Sequence, residues 1–129
     1  MAGIIRAYSL AKDGERNVSK NFKVREFKCK DGSDTIFIAD ELVTVLQKIR
    51  DRFGKAVTIN SAYRTDAYNK KIGGAAYSQH KYGCAADIVV SGVKPIDVYT
   101  YADSILPNGG VGKYDSFTHV DVRGTKSRF

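Results

Sequence analysis

Two histidines and one aspartate carry the chemistry open to this sequence. Among 129 residues there are only two histidines, His80 and His119. His80 lies in SQHKYGCAAD, residues 78–87, which ends in Asp87, and His119 lies in FTHVDVRG. Two neutral imidazoles and a carboxylate from distant segments form a three-ligand set for zinc with a fourth position left to water. That is the catalytic type of site, whereas structural zinc is usually closed by four protein ligands, often cysteines. The bland alternative for each histidine is a hydrogen-bonded side chain near the surface.

The elements that must position these residues can be read from periodicity. His80 follows a small, turn-forming run, GGAAYSQ, and precedes Gly83. Asp87 opens into the apolar run Ile88-Val89-Val90, at or near the start of an expected strand over 85–90. Around His119 the residues alternate. At a period of two, Phe117, His119, Asp121 and Arg123 share one face, and Thr118, Val120 and Val122 share the other. The Thr/Val/Val face is expected to be core, so the His/Asp/Arg face is expected to look at solvent or at a site.

SAYRT (61–65), the GGAAYSQH approach, the S-x-H-x6-D core and the late HVDVRG, in that order, resemble the zinc D-alanyl-D-alanine carboxypeptidase family of bacterial and phage peptidases. The resemblance covers about residues 20–129. It implies a hedgehog-like peptidase fold and one zinc per chain held by His80, Asp87 and His119. It also implies substrate contacts from Arg64 and Ser78. A branch of that family ends in HVDVRG. Many other members carry an acid three residues before the second histidine, where this chain has Ser116.

The rest of the chain suits one α+β domain with a small antiparallel sheet flanked by helices. Residues 1–34 read as an N-terminal arm, a short extended segment and a turn, packed on or beside a peptidase domain at 35–129. The clearest helix is 39–53, where Leu42, Val45, Leu46, Ile49 and Phe53 follow helical spacing. Asp40 is its expected N-cap and Gly54 its stop. A strand over 56–60 leads into SAYRT, a short helix ends at Gly73-Gly74, and Pro95 starts a helix over about 95–106. In that helix Ile96, Tyr99, Ala102, Ile105 and Leu106 are expected inward. PNGG (107–110) is an expected turn before the last strand. Cys29 and Cys84 lack metal or redox spacing, and Cys84 is expected as a small buried residue.

Arg64 at a strand end can grip a carboxylate through two parallel hydrogen bonds, a geometry lysine cannot reproduce. Ser78 is expected either to donate to substrate or to cap the local turn, and Gln79 to support a developing oxyanion. A metal in such a site activates water and polarises a carbonyl, so a carboxylate is needed to move the proton to the leaving amine. Asp121 and Asp115 share strand parity with His119 and are the candidates. Asp121 is the stronger for facing the site, and it could instead orient a ligand histidine.

The charge is +7, from 21 Lys+Arg against 14 Asp+Glu. A basic surface implies an anionic partner: nucleic acid, anionic lipid or cell-wall polymer. The charges are scattered without a Lys/Arg block interleaved with aromatics, and the resemblance to the peptidase family is what favours the wall polymer over nucleic acid. No run reaches the ~20 apolar residues of a membrane span, and no signal peptide is visible. The expectation is a monomeric enzyme made in the cytoplasm that reaches the wall after release, or within a phage or larger assembly. Its function is then zinc-dependent hydrolysis of peptidoglycan stem peptides, as a carboxypeptidase or as an endolysin-type endopeptidase. The competing reading, kept open by Ser116, is a non-catalytic wall-binding or phage structural module with the same fold.

Overall fold

The computed structural model describes residues 3–129. Among them the elements run β1 (Ile5–Ser9), α1 (Leu10–Asp13), β2 (Asn17–Ser19), β3 (Phe22–Lys23), a 3-10 turn at Val24–Phe27, and β4 (Thr35–Ala39). They continue with α2 (Asp40–Phe53), β5 (Val57–Ser61), α3 (Asp66–Lys71), a second 3-10 turn at Gln79–Tyr82, β6 (Ala85–Val90) and α4 (Pro95–Ile105). The chain closes with β7 (Gly110–Lys113), β8 (Thr118–Asp121) and β9 (Ser127–Arg128). The class is α+β in a single domain with a small, mainly antiparallel sheet. Its strand order is β5-β6-β8-β7-β9, and only the β7–β9 pair is parallel.

Two facts position the site. The first is the core beneath the sheet. Helix α2 buries Leu42, Val43, Val45, Leu46 and Ile49. From the sheet, Ile88, Val90, Val111 and Val120 join the same cluster, and α4 adds Val98 and Ala102. Each large side chain buried there contributes roughly 1.5–3 kcal/mol relative to exposure. The second fact is register. β6 and β8 are antiparallel neighbours with Asp87 opposite His119 and Ala85 opposite Asp121. On their outer sides Ser61 of β5 stands opposite Asp87, and Gly112 of β7 stands opposite His119. One row across the sheet therefore reads Ser61, Asp87, His119, Gly112.

Several expectations change. The first 34 residues hold two strand pairings as well as turns. β1 pairs with β4 over Ile5↔Ala39 to Ser9↔Thr35, and β2 pairs with β3. Phe22, Val24 and Phe27 belong to the same core cluster as α2. Asp40 is not an N-cap. β4 runs straight into α2, Ala39 takes the cap position, and Asp40 is the first helical residue. There it lies at the positive end of the helix dipole and pairs with Arg6 at 2.9 Å. Gly54 does stop the helix, in the left-handed conformation at φ 62°. Around α4, Val98 joins the expected Ala102 and Leu106 in the core and Tyr99 and Ile105 pack half-buried against it, while Ile96 is 45% exposed. β8 is central in the sheet, so Asp121 on its polar face is as buried as the valines, at 0% exposure. Cys29 and Cys84 are free and buried, and burial pushes the Cys84 thiol up to about 11.

Gly83 ends the turn that carries His80. Its φ is 71°, and a Cβ there would collide with the Phe37 carbonyl of β4. Its own carbonyl accepts from Ala39 N at 2.9 Å. Gly83→Ala is expected to destabilise the fold by at least about 2 kcal/mol, combining left-handed strain with the backbone clash. Chemical denaturation would measure it, and an unchanged midpoint would refute this account of the turn.

Candidate metal centre

His80 reaches the site from a short capped turn. The Ser78 hydroxyl accepts from His80 N at 3.3 Å, and Gly83 closes the turn. The end of β5 then clasps it: Arg64 N donates to the His80 carbonyl at 3.0 Å, and His80 Nδ1 donates to the Ala62 carbonyl at 2.7 Å. A carbonyl can only accept, so Nδ1 carries the proton and Nε2 presents a lone pair. That Nε2 lies 3.3 Å from Asp87 Oδ1.

His119 is oriented the opposite way round. Its Nε2 donates to Asp121 Oδ2 at 2.7 Å, which leaves Nδ1 facing Asp87 Oδ1 at 2.9 Å. One potential ligand atom from each of His80, Asp87 and His119 lies within 4.8 Å of the other two. Two imidazole lone pairs and an anionic oxygen aimed at one point repel unless a cation sits among them. A proton or a metal ion can fill that role, and this donor set suits zinc.

The electrostatics agree. Burial alone would raise the Asp87 carboxyl, but its contacts with His119 and His80 hold it well below the ordinary range. Burial would lower His119, and its contacts with Asp121 and Asp87 outweigh that and raise it. Asp121 is likewise driven up by burial and further down by Arg123 and His119.

Asp121 faces His119 and not the open space beside it. Its Oδ1 accepts from Gly110 N at 3.0 Å and from Arg123 Nε at 2.9 Å, and its Oδ2 accepts from Arg123 Nη2 at 2.7 Å. With Oδ2 also serving His119, its oxygens are committed to orientation. Gly110 opposite is required, because a Cβ there would strike the Asp121 carboxylate. Of the two roles expected for Asp121, this geometry matches the partner of a ligand histidine, not a proton carrier.

A cavity of about 280 Å³ opens over the group, lined by Arg64, Ser78, His80, Asp87, Tyr114, Phe117 and His119. Arg64 and Ser78 are therefore brought to the site with the three candidate ligands. Gln79 is not, since its side chain is absent from the cavity wall. Asp115 sits on an exposed bend between β7 and β8 and is also outside the wall, although Tyr114 and Phe117 on either side line it. Those two rings stack in parallel at 4.3 Å. Phe129 fills the space over Gly112 and packs on the His119 ring at 5.1 Å. Two contributors escaped the sequence reading. Asn69 accepts from Arg64 Nη1 at 3.3 Å, and it stands five residues after the arginine on helix α3. Phe129 reaches the site only through the parallel β7–β9 pairing, which has no local signal.

A model of the family described as peptidase M15 matches residues 18–121. The chain belongs to that family. The match begins inside the expected N-terminal arm and ends at Asp121, so it takes in every candidate metal ligand of this chain. The zinc D-Ala-D-Ala carboxypeptidase of Streptomyces albus G is 43% identical over 53 residues, which are 39% of this chain and 21% of that protein. The matched region thus spans about a fifth of the relative's length. In this M15 chain the His/Asp/His group has the donors and the spacing that could hold a metal ion. Among the described residues no helix is long and apolar enough to cross a membrane.

The raised His119 pKa has a consequence for metal affinity. In the metal-free chain, protonated His119 stabilises the fold below the unfolded value of about 6.5. That contribution is lost as pH rises through the higher folded value. A metal at Nδ1 requires that position to be free of its proton, so proton and metal compete. Zinc affinity is expected to rise by up to about tenfold per pH unit until His119 is neutral. Chelator competition between about pH 6 and 9 would check it, and a flat profile would contradict a proton at this position.

Proposed function

We propose that this M15 chain is a zinc peptidase acting on peptidoglycan stem peptides, and that zinc is held by His80 Nε2, Asp87 and His119 Nδ1. The observation that carries the reading is a single cavity holding three converging metal donors beside a pinned guanidinium. Bound zinc would supply a Lewis acid that activates water and polarises the scissile carbonyl. The protein's own residues do the rest. Ala62 and Asp121 fix the two imidazole tautomers. Asp87 divides its carboxylate, with Oδ1 toward both histidines and Oδ2 3.6 Å from Arg64 Nη2. Arg64 takes a substrate carboxylate, which favours carboxypeptidase action at the end of the stem. Ser78 both caps the His80 turn and faces the substrate. The surplus of basic residues suits an anionic wall polymer as the surrounding medium.

Proton transfer separates this reading from its rival. Asp87 is the one carboxylate lining the cavity among the described residues, and Asp121 is committed elsewhere. In the peptidase reading the proton carrier is Asp115, delivered from the Tyr114–Phe117 bend once substrate orders it. In the rival reading no residue carries the proton, and the chain is a binding or structural module that keeps the metal.

Two measurements decide. Wild-type protein is expected to hold one zinc per chain and to cleave muropeptides, with both lost in His80→Ala; mass spectrometry of the products would identify the bond. Asp115→Ala is expected to keep its zinc while kcat falls by about 100-fold or more, the usual contribution of a positioned acid or base. Zinc without cleavage in the wild type would establish the binding module. Unchanged kcat in Asp115→Ala would remove that aspartate from the mechanism.

A further inference from the structure

We infer that Asn69 is a positioning residue for the arginine of this site: it sets the Arg64 guanidinium so that one N–H on each terminal nitrogen stays free for a substrate carboxylate. The inference rests on the reading that Arg64 binds such a carboxylate.

A guanidinium has five N–H donors and no acceptor. In Arg64, Nε donates to Ser61 Oγ at 3.1 Å and Nη1 donates to Asn69 Oδ1 at 3.3 Å. Nη2 lies 3.6 Å from Asp87 Oδ2. Three donors are thus directed at protein and two remain, one on Nη1 and one on Nη2. A two-pronged carboxylate contact needs that pair. The partners divide the work. Ser61 holds the near end of the group and Asp87 attracts the far end. Asn69 fixes rotation about the group, because without it Nη1 has no protein acceptor and the fork can swing toward Asp87.

Asn69 is itself held in place. It is 3% exposed, and its Nδ2 donates to the Ala75 carbonyl at 2.9 Å. Its backbone carbonyl accepts from Gly74 N at 2.8 Å. Gly74 packs so closely that a Cβ there would overlap the Asn69 amide. Gly74 does not have a positive φ, so glycine is needed there for this contact and not for the backbone angle. The amide therefore has one orientation, with oxygen toward Arg64 and nitrogen toward the loop that leads to Ser78 and His80.

The test uses the zinc-loaded chain, an acyl-Lys-D-Ala-D-Ala tripeptide and the C-terminal amide of that peptide. Nitrogen NMR of the Arg64 side chain is expected to show slowed rotation of the guanidinium in wild type and averaged signals in Asn69→Ala. KM for the free acid is expected to rise about tenfold in Asn69→Ala, the scale of one hydrogen bond to a charged group, with little change for the amide. In an Arg64→Ala background the second substitution should add nothing. Asn69→Asp keeps an oxygen toward Arg64 but adds a charge, so it is expected to retain the ordered signal while KM for the free acid rises. The inference is overturned if the guanidinium stays ordered in Asn69→Ala, or if that substitution costs as much without Arg64 as with it. It is also overturned if the guanidinium of Asn69→Asp, with its zinc intact, is as averaged as in Asn69→Ala. A wild type that cleaves acid and amide equally would instead sink the carboxylate reading, while the NMR comparison still judges the contact.

Discussion

Two imidazole nitrogens, His80 Nε2 and His119 Nδ1, converge on one carboxylate oxygen, and the arrangement is repulsive unless a proton or a metal ion sits among them. The surrounding structure enforces it. Ala62 takes the proton-bearing nitrogen of His80, and Asp121 takes that of His119, so neither ring can turn to relieve the repulsion. Strand register places Asp87 opposite His119, and slipping either strand by one residue would send one of them into the valine core. The pressure to bind a cation is thus built into backbone pairing and into two hydrogen bonds outside the ligand set.

The same constraint explains the glycines of β7. Asp121 reaches His119 and Arg123 together, and Gly110 opposite leaves room for its carboxylate. Gly112 opposite His119 leaves room for Phe129, whose ring shields one side of the imidazole and also lies 5.6 Å from the Arg123 guanidinium. Excluding water on that side strengthens each charge interaction within the group. The other side stays open as the cavity, so access and shielding are divided between the two faces of one ring.

The candidate ligands were legible because each sits in a local pattern with its own chemistry: a turn before His80, a strand start at Asp87 and alternation around His119. Helix α2 was legible for the same reason, since its apolar spacing is confined to one segment. What escaped depends on pairing between distant segments. β1 and β4 pair across more than twenty-five residues of sequence, and neither is long enough to announce itself alone. Asp121 was placed on the correct face by parity, but parity cannot reveal that strands on both sides bury it. Asp40 was misassigned because a residue type that favours caps also suits the first helical turn, and only the direct junction of β4 with α2 distinguishes them. Gln79 was placed in the site by adjacency to His80, although in a tight turn neighbouring side chains diverge.

Arg64 and Asp121 illustrate how a site can hold strong charges without neutralising them. Arg123 binds Asp121 through two nitrogens and absorbs its charge, so Asp121 can orient His119 without competing for the metal. Arg64, by contrast, approaches Asp87 only at 3.6 Å and is tied back by two neutral oxygens, those of Ser61 and Asn69. Neutral acceptors hold a guanidinium in place but leave its charge available, whereas a close carboxylate would consume it. The pairing of one arginine with an acid and the other with amide and hydroxyl oxygens is therefore what divides the two cations into a structural one and one able to receive an anionic ligand.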